Sequence, residues 1–142
     1  MKYQYNLTLP SERKSIEKAV KLAEKAAKKM KLVSQEQDNL AIAVSEAVTN
    51  AVIHGNKLSS YKKTVIDILI EDNKVVVKVR DEGNGFNLEN LPDPLAPENI
   101  AKECGRGIFI LKSFMDKVDF NFTEGGTEVI ISKKYDKKSF KK

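Results

Sequence analysis

The stretch AVSEAVTNAVIHGN, Ala43 to Asn56, carries a carboxylate, an amide and an imidazole at four-residue spacing: Glu46, Asn50 and His54. At about 100° per residue, a helix gathers all three into one narrow arc. Leu40, Val44, Ala47 and Ala51 supply an apolar stripe beside that arc, and its small residues would let the helix lie close to a sheet. The arc would then sit at the edge of a cleft, although a solvated polar stripe is the plainer reading of the same pattern. Two further clusters bear on chemistry. Asp81-Glu82-Gly83-Asn84-Gly85-Phe86 follows a β-branched run, and spaced glycines there suit a backbone making a close approach to something. Gly105-Arg106-Gly107 opens a further helical pattern. Free N–H groups at such a start, with a guanidinium fork beside them, are suited to phosphate. Taken singly, Asp81 could merely cap a turn, and Gly105 to Gly107 could be a simple turn.

Familiar nucleotide signatures are missing. No G-x-x-x-x-G-K-[ST] loop occurs, and neither glycine cluster completes G-x-G-x-x-G. One histidine and one cysteine cannot make a zinc site.

The elements that must position these residues follow from periodicity. Tyr3, Tyr5, Leu7 and Leu9 alternate with polar residues as in a half-buried strand. Pro10 and Ser11 open a helix whose apolar stripe is Ile16, Ala19, Val20, Ala23, Ala27 and Met30, with lysines opposite. Ser34 and Gln37 have capping-box spacing, so a second helix should start at Ser34 and run through Glu46 and Asn50 to a stop at Gly55 in the left-handed conformation. His54 suits the negative end of that helix. Thr64 to Glu71 and Lys74 to Asp81 flank Asp72-Asn73 as a hairpin. The segment from about 84 to 104, with Pro92, Pro94 and Pro97, is long for a connection and is a candidate lid. Cys104 beside it reads as a small buried filler. A short helix with Ile108, Leu111 and Met115 and a last hairpin complete the order. The expected fold class is α+β: a two-layer sandwich, with a mixed, mainly antiparallel sheet and helices on one face.

Length and composition fit one globular domain, expected over 1–132: 142 residues, 41% hydrophobic and 32% charged. No apolar run approaches the ~20 residues of a membrane span, so no membrane association is expected. A single cysteine fits a reducing cytoplasm. The net charge of +5 resides in the last ten residues, KKYDKKSFKK, where six lysines face one aspartate. The rest of the chain balances, so residues 133–142 read as a solvated, frayed tail and no direct nucleic-acid binding is expected.

Taken together, E-x-x-x-N-A-x-x-H (Glu46, Asn50, Ala51, His54), D-x-G-x-G (Asp81, Gly83, Gly85), G-x-G (Gly105, Gly107) and G-T (Gly126, Thr127) occur in one order. This resembles the Bergerat-fold ATPases, which include gyrase B subunits, heat-shock chaperones, mismatch-repair ATPases and sensor histidine kinases. E-A-V-T-N-A-V-I-H-G and G-R-G-I-F are most similar to the small anti-sigma-factor serine kinases of bacterial partner-switching systems. The resemblance implies ATP and Mg²⁺ as cofactors. It makes Glu46 the general base, Asn50 the Mg²⁺ ligand and Asp81 the acceptor of the adenine amino group. Gly83 and Gly85 would let the backbone approach the base, Thr127 would support the adenine, and Gly105, Arg106 and Gly107 would hold the phosphates.

A chain of this length leaves no room for a transducing domain or a dimerising helical pair, so ATP use is expected to act on a partner bound in trans. The expected function is a protein serine/threonine kinase and anti-sigma factor. Its substrate would be a small anti-anti-sigma protein, its held partner a sigma factor, and its assembly a homodimer. The alternative is an ATP-sensing binding switch with little or no catalysis.

Overall fold

The structure, a computed structural model, describes residues 2–83, 103–123 and 125–142, with Glu103, Cys104, Gly105, Arg106 and Thr123 described by backbone only. Among the described residues five strands form one sheet: β1 (Lys2–Pro10), β2 (Lys63–Glu71), β3 (Lys74–Arg80), β4 (Lys117–Thr123) and β5 (Gly126–Lys134). Their spatial order is β1-β2-β3-β5-β4, and every neighbouring pair is antiparallel. The sheet is therefore antiparallel throughout rather than mixed, because strands placed next to one another run in opposite senses even where β5 inserts between β3 and β4. Asp72, at φ 54°, makes the tight β2–β3 turn in the left-handed region that aspartate tolerates.

Helices α1 (Lys14–Lys29), α2 (Ser34–Thr49) and α3 (Glu103–Phe114) cover one face. Alternation along the strands sends Ile66, Ile68, Ile70, Val75, Val77, Val79, Val129 and Ile131 to that face, where all are buried. They meet Ala19, Ala23, Ala26 and Ala27 of α1, and Leu40, Ala43, Val44, Ala47 and Val48 of α2. The alanines remove side-chain bulk and let both helices approach the sheet closely. Lys25 and Lys29 of α1 lie 5.7 and 4.5 Å from the ring centres of Tyr5 and Tyr3, so their ammonium groups cover the half-buried face of the edge strand.

Two local expectations are corrected. The capping box at Ser34 does not form: Val33 is the capping residue, and the Gln37 side-chain amide donates to the Leu32 carbonyl at 2.8 Å. Nor is the C-terminal segment frayed. β5 extends two residues past 132, and Tyr135, only 3% exposed, exchanges hydrogen bonds with Asn73. The Val33 N–H donates to the Ser139 carbonyl at 2.7 Å and the Lys141 N–H to the Lys31 carbonyl at 2.7 Å. The Phe140 ring meets Tyr135 edge-on at 6.2 Å. Tyr135 in the core and Phe140 packed against it anchor the segment, while Lys134, Lys137, Lys138, Lys141 and Lys142 stay exposed. Burial pushes the Tyr135 hydroxyl pKa upward, reinforced by the charges of Glu36 and Asp116. No helix among the described residues is long and apolar enough to cross a membrane.

Candidate functional site

Asp81 prolongs the inward alternation of Val75, Val77 and Val79 by one step, which places a carboxylate at the rim of the core, 5% exposed. Its backbone N–H donates to the Thr127 carbonyl at 2.9 Å. Its Oδ1 accepts from the N–H of Thr127 at 3.1 Å and of Gly83 at 2.9 Å. Three glycines make room for it. A β-carbon at Gly55 would collide with the Asp81 carboxylate, nearest its Oδ2, and one at Gly83 would collide with the Gly55 carbonyl. Gly126, at φ 149°, packs its α-carbon against the Asp81 carbonyl, a contact and a conformation closed to other residues. Burial raises the Asp81 pKa above its ordinary value, against the two N–H donors and the Lys62 ammonium, which lower it. The result is a pinned, partly desolvated carboxylate whose Oδ2 faces away from its two backbone donors, suited to accept from a flat donor group.

Gly55 thus has a different role from the one expected. It is not left-handed; the residues with positive φ after the helix are Lys57 and Leu58. Glycine is required at 55 by the approach of Asp81.

The other end of the site is built by α2 and α3. Glu46 lies in the last turn of α2, and Asn50 begins a π-helical turn, Asn50–Gly55, that continues it. A methyl group placed on Gly107 would lie 3.0 Å from Glu46 Oε2 and 3.4 Å from Asn50 Oδ1. The carboxylate and the amide oxygen therefore converge on Gly107 of α3, as the four-residue spacing requires. The described part of that helix already includes Glu103, so Gly105 and Arg106 lie in helical backbone rather than in a loop before it. The Gly55 side of the stretch departs from the expected line. From Asn50 onward the turn is wider, with the Asn56 N–H reaching the Ala51 carbonyl at 2.8 Å, so the 100° repeat no longer carries His54 into line with Glu46 and Asn50. His54 sits in the last turn, and its Nε2 is buried without a hydrogen-bond partner among the described residues.

Of the expected site residues, the structure brings together Asp81, Gly83 and Thr127 at one end, and Glu46, Asn50 and Gly107 at the other. Gly85 and the lid segment up to residue 102 lie outside the described residues, and the side chains of Cys104 and Arg106 are not described.

One site residue escaped the sequence reading. Asn56, 1% exposed, donates through Nδ2 to Ser11 Oγ at 2.9 Å, the Lys63 carbonyl at 2.9 Å and Thr64 Oγ1 at 3.2 Å. Its Oδ1 accepts from the Glu82 N–H at 2.7 Å. The only signal in one dimension is an asparagine placed directly after the glycine that closes the polar stretch.

The residues present fit the two groups implied for the site. Asp81 offers a fixed acceptor lined by glycine backbone. Glu46 Oε2 and Asn50 Oδ1 are hard oxygen donors held side by side, the kind that Mg²⁺ shares with phosphates. An open groove of about 280 Å³ on the α1–α2 pair is lined by Val20, Ala41, Ile42, Ser45 and Glu46.

Comparison with known proteins agrees with this geometry. Residues 9–133 match the histidine kinase-like ATPase domain model. The chain is 38% identical to the anti-sigma F factor of Clostridium acetobutylicum over 104 residues, covering 71% of this chain and 72% of that one. It is 32% identical to the serine-protein kinase RsbW of Listeria monocytogenes over 99 residues, covering 66% of this chain and 63% of the relative. Its fold is similar to that in a crystal structure of the RsbU and RsbW domains of a Mycobacterium tuberculosis protein, with a TM-score of 0.65 at 16% identity over 93% of this chain and 32% of that one. With the ordered motifs, the antiparallel sheet and the Asp81 pocket agreeing with a match over most of its length, the chain belongs to the histidine kinase-like ATPase domain family.

Proposed function

We propose that this protein is an ATP-dependent serine/threonine protein kinase that also acts as an anti-sigma factor, phosphorylating a small anti-anti-sigma protein. The observation that carries this reading is the convergence of Glu46 and Asn50 on Gly107. A binding module has no use for a carboxylate held there. The names of two similar proteins, an anti-sigma F factor and a serine-protein kinase, support both halves of the proposal.

In the mechanism, Asp81 Oδ2 accepts a hydrogen bond from the adenine amino group, while Gly55, Gly83 and Gly126 keep the surrounding backbone close. Thr127 closes the base pocket through the same backbone pairing that fixes Asp81. Asn50 would supply an amide oxygen to Mg²⁺, and Gly105, Arg106 and Gly107 would hold the phosphates. When bound, Mg²⁺ neutralises charge on the transferring phosphoryl group. Glu46 takes the proton of the acceptor hydroxyl as general base. Phosphoryl transfer needs little more than this placement and charge stabilisation. The acceptor comes from another protein, and the groove lined by Val20, Ile42, Ser45 and Glu46 would receive it.

The same reading includes holding a sigma factor, a cytoplasmic location and a homodimer. Half-buried Leu69, Val76 and Ile130 on the sheet face away from the helices offer apolar area to a second copy. The test is transfer from γ-labelled Mg·ATP into a bacterial lysate, comparing the wild type with Glu46→Gln. A small protein labelled by the wild type alone is expected. Equal labelling by both removes Glu46 as the base, and no labelling beside confirmed ATP binding favours a nucleotide-sensing switch.

A further inference from the structure

We propose that Asn56 is a positioning residue for base recognition, acting through the Asp81–Glu82 peptide. The inference rests on the reading above that Asp81 receives the adenine amino group. Asn56 stands where three parts of the chain meet: Ser11 before α1, the start of β2 at Lys63 and Thr64, and the turn after β3 at Glu82.

The Glu82 N–H, which bonds Asn56 Oδ1 at 2.7 Å, belongs to the same peptide plane as the Asp81 carbonyl. On its other side, that carbonyl lies against the α-carbon of Gly126. The plane is thus gripped at both ends. Its orientation sets the direction in which the Asp81 side chain leaves the backbone, and the next N–H along, that of Gly83, bonds Asp81 Oδ1. Two hydrogen bonds on Oδ1 fix the carboxylate only if the peptide between the donors is itself fixed. Asn56 supplies that restraint from outside the strands β3 and β5, at the end of the turn Asn50–Gly55.

The side-chain type follows from the partners. Three acceptors surround Nδ2 and one donor faces Oδ1, so the position needs both donors and an acceptor at the end of a short stem. Aspartate would set a charge against three acceptors, and serine would not reach both sides. Ser11 in turn donates to the Lys62 carbonyl, so the residue that supplies an ammonium near Asp81 is tied into the same network.

Equilibrium binding of ATP and of inosine triphosphate, which bears an oxygen in place of the adenine amino group, tests the proposal. Wild type, Asn56→Ala, Asn56→Ser, Thr64→Val and Asp81→Asn are compared, each well below its melting temperature. The wild type is expected to prefer ATP by about 30-fold or more, as a site with a buried acceptor rejects a ligand lacking the donor. Both Asn56 variants should lower that preference to about 5-fold or less, chiefly by weakening ATP. Thr64→Val removes one partner of Nδ2 and should lower the melting temperature while leaving the preference intact. Variants at Asn56 that melt early but keep the wild-type preference would reduce the residue to a structural plug and overturn the proposal. Amide exchange in the nucleotide-free wild type is an independent check, available even if both Asn56 variants fail to fold. A Glu82 amide exchanging as freely as an exposed loop amide also overturns it. A wild type without preference, unaltered by Asp81→Asn, instead sinks the base-recognition reading of Asp81.

Discussion

The two ends of the candidate site, the proposed base end at Asp81 and the proposed phosphate end at Glu46 and Asn50, are built on opposite principles. At the base end, Asp81 is buried, pinned by two N–H donors and enclosed by glycines from three segments, so its position is set by backbone. At the phosphate end, Glu46 and Asn50 are half-buried side chains projecting from one helical ridge toward Gly107 on another helix, so their position depends on helix packing and rotamers. Rigid recognition at one end and adjustable side chains at the other suit a protein that must hold one constant nucleotide moiety while a second protein enters and leaves.

The largest effect should come from adding a methyl group where the rigid end has no space. Gly55→Ala drives a β-carbon into the Asp81 carboxylate, which cannot swing away without losing both Oδ1 bonds. A loss of about 2–4 kcal/mol in stability is expected, with ATP binding abolished, as read by denaturant unfolding and calorimetry. A wild-type Kd for this variant would break the claim that the base end is set by backbone.

Asp81→Asn separates recognition from stability. The amide keeps an oxygen for Thr127 and Gly83 but puts a donor toward the ligand, so ATP affinity should fall by about 2–3 kcal/mol. The nucleotide-free protein should not suffer equally. Because burial raises the Asp81 pKa in the folded state, its ionisation opposes folding. Its favourable contribution is complete below the ordinary value of 3.8 and is lost as pH rises through the raised value. Unfolding curves at several pH values should therefore show the asparagine variant gaining on the wild type as pH rises from 3.8 through the raised value, and no further above it.

At the adjustable end, Gly107→Ala places a methyl group 3.0 Å from Glu46 Oε2 and 3.4 Å from Asn50 Oδ1, contacts that a rotamer shift can relieve. Stability should change by less than about 1 kcal/mol, while phosphate transfer falls about tenfold or more through misplacement of the base. Adenosine, lacking phosphates, should bind as to the wild type. A variant that loses adenosine affinity would show that the two ends are not separable.

The smallest effect lies far from the cleft. Asp116 accepts from the Lys134 N–H at 2.7 Å and from the Lys133 ammonium at 3.3 Å, which holds its pKa below the usual value. Its stabilisation is present above 3.8 and is lost as pH falls through the lowered value. Asp116→Asn should cost a few tenths of a kcal/mol at neutral pH, since the pair is exposed, and the gap should close in acid. Nucleotide affinity should not move.

The contrast between the ends also explains what could be read in the sequence. Glu46 and Asn50 were legible because a regular helix turns residue spacing directly into a shared face. Asp81 was legible because it ends a β-branched run just before two spaced glycines. Asn56 was not, since its partners are Ser11, Lys63, Thr64 and Glu82, distant in the chain and joined only by the fold. The widened turn after Asn50 has no signature of its own, and it moved His54 away from the line that the regular repeat predicted. Gly55 was recognised as necessary but for helix termination, because a collision with a carboxylate 26 positions away leaves no local trace. The docked C-terminal segment was hidden by its six lysines, whereas Tyr135 and Phe140 between them carry the packing. Gly85 and the lid segment lie outside the described residues, and their expected roles stand on the resemblance alone.

The most direct test of the account uses one preparation of Glu46→Gln, loaded with Mg·ATP and mixed with the purified acceptor protein in a single turnover. ATP affinity within a few-fold of wild type, with transfer slowed at least about 100-fold, is the predicted result. Transfer at the wild-type rate by that loaded variant would contradict it, since the carboxylate facing Gly107 would then take no part in the reaction.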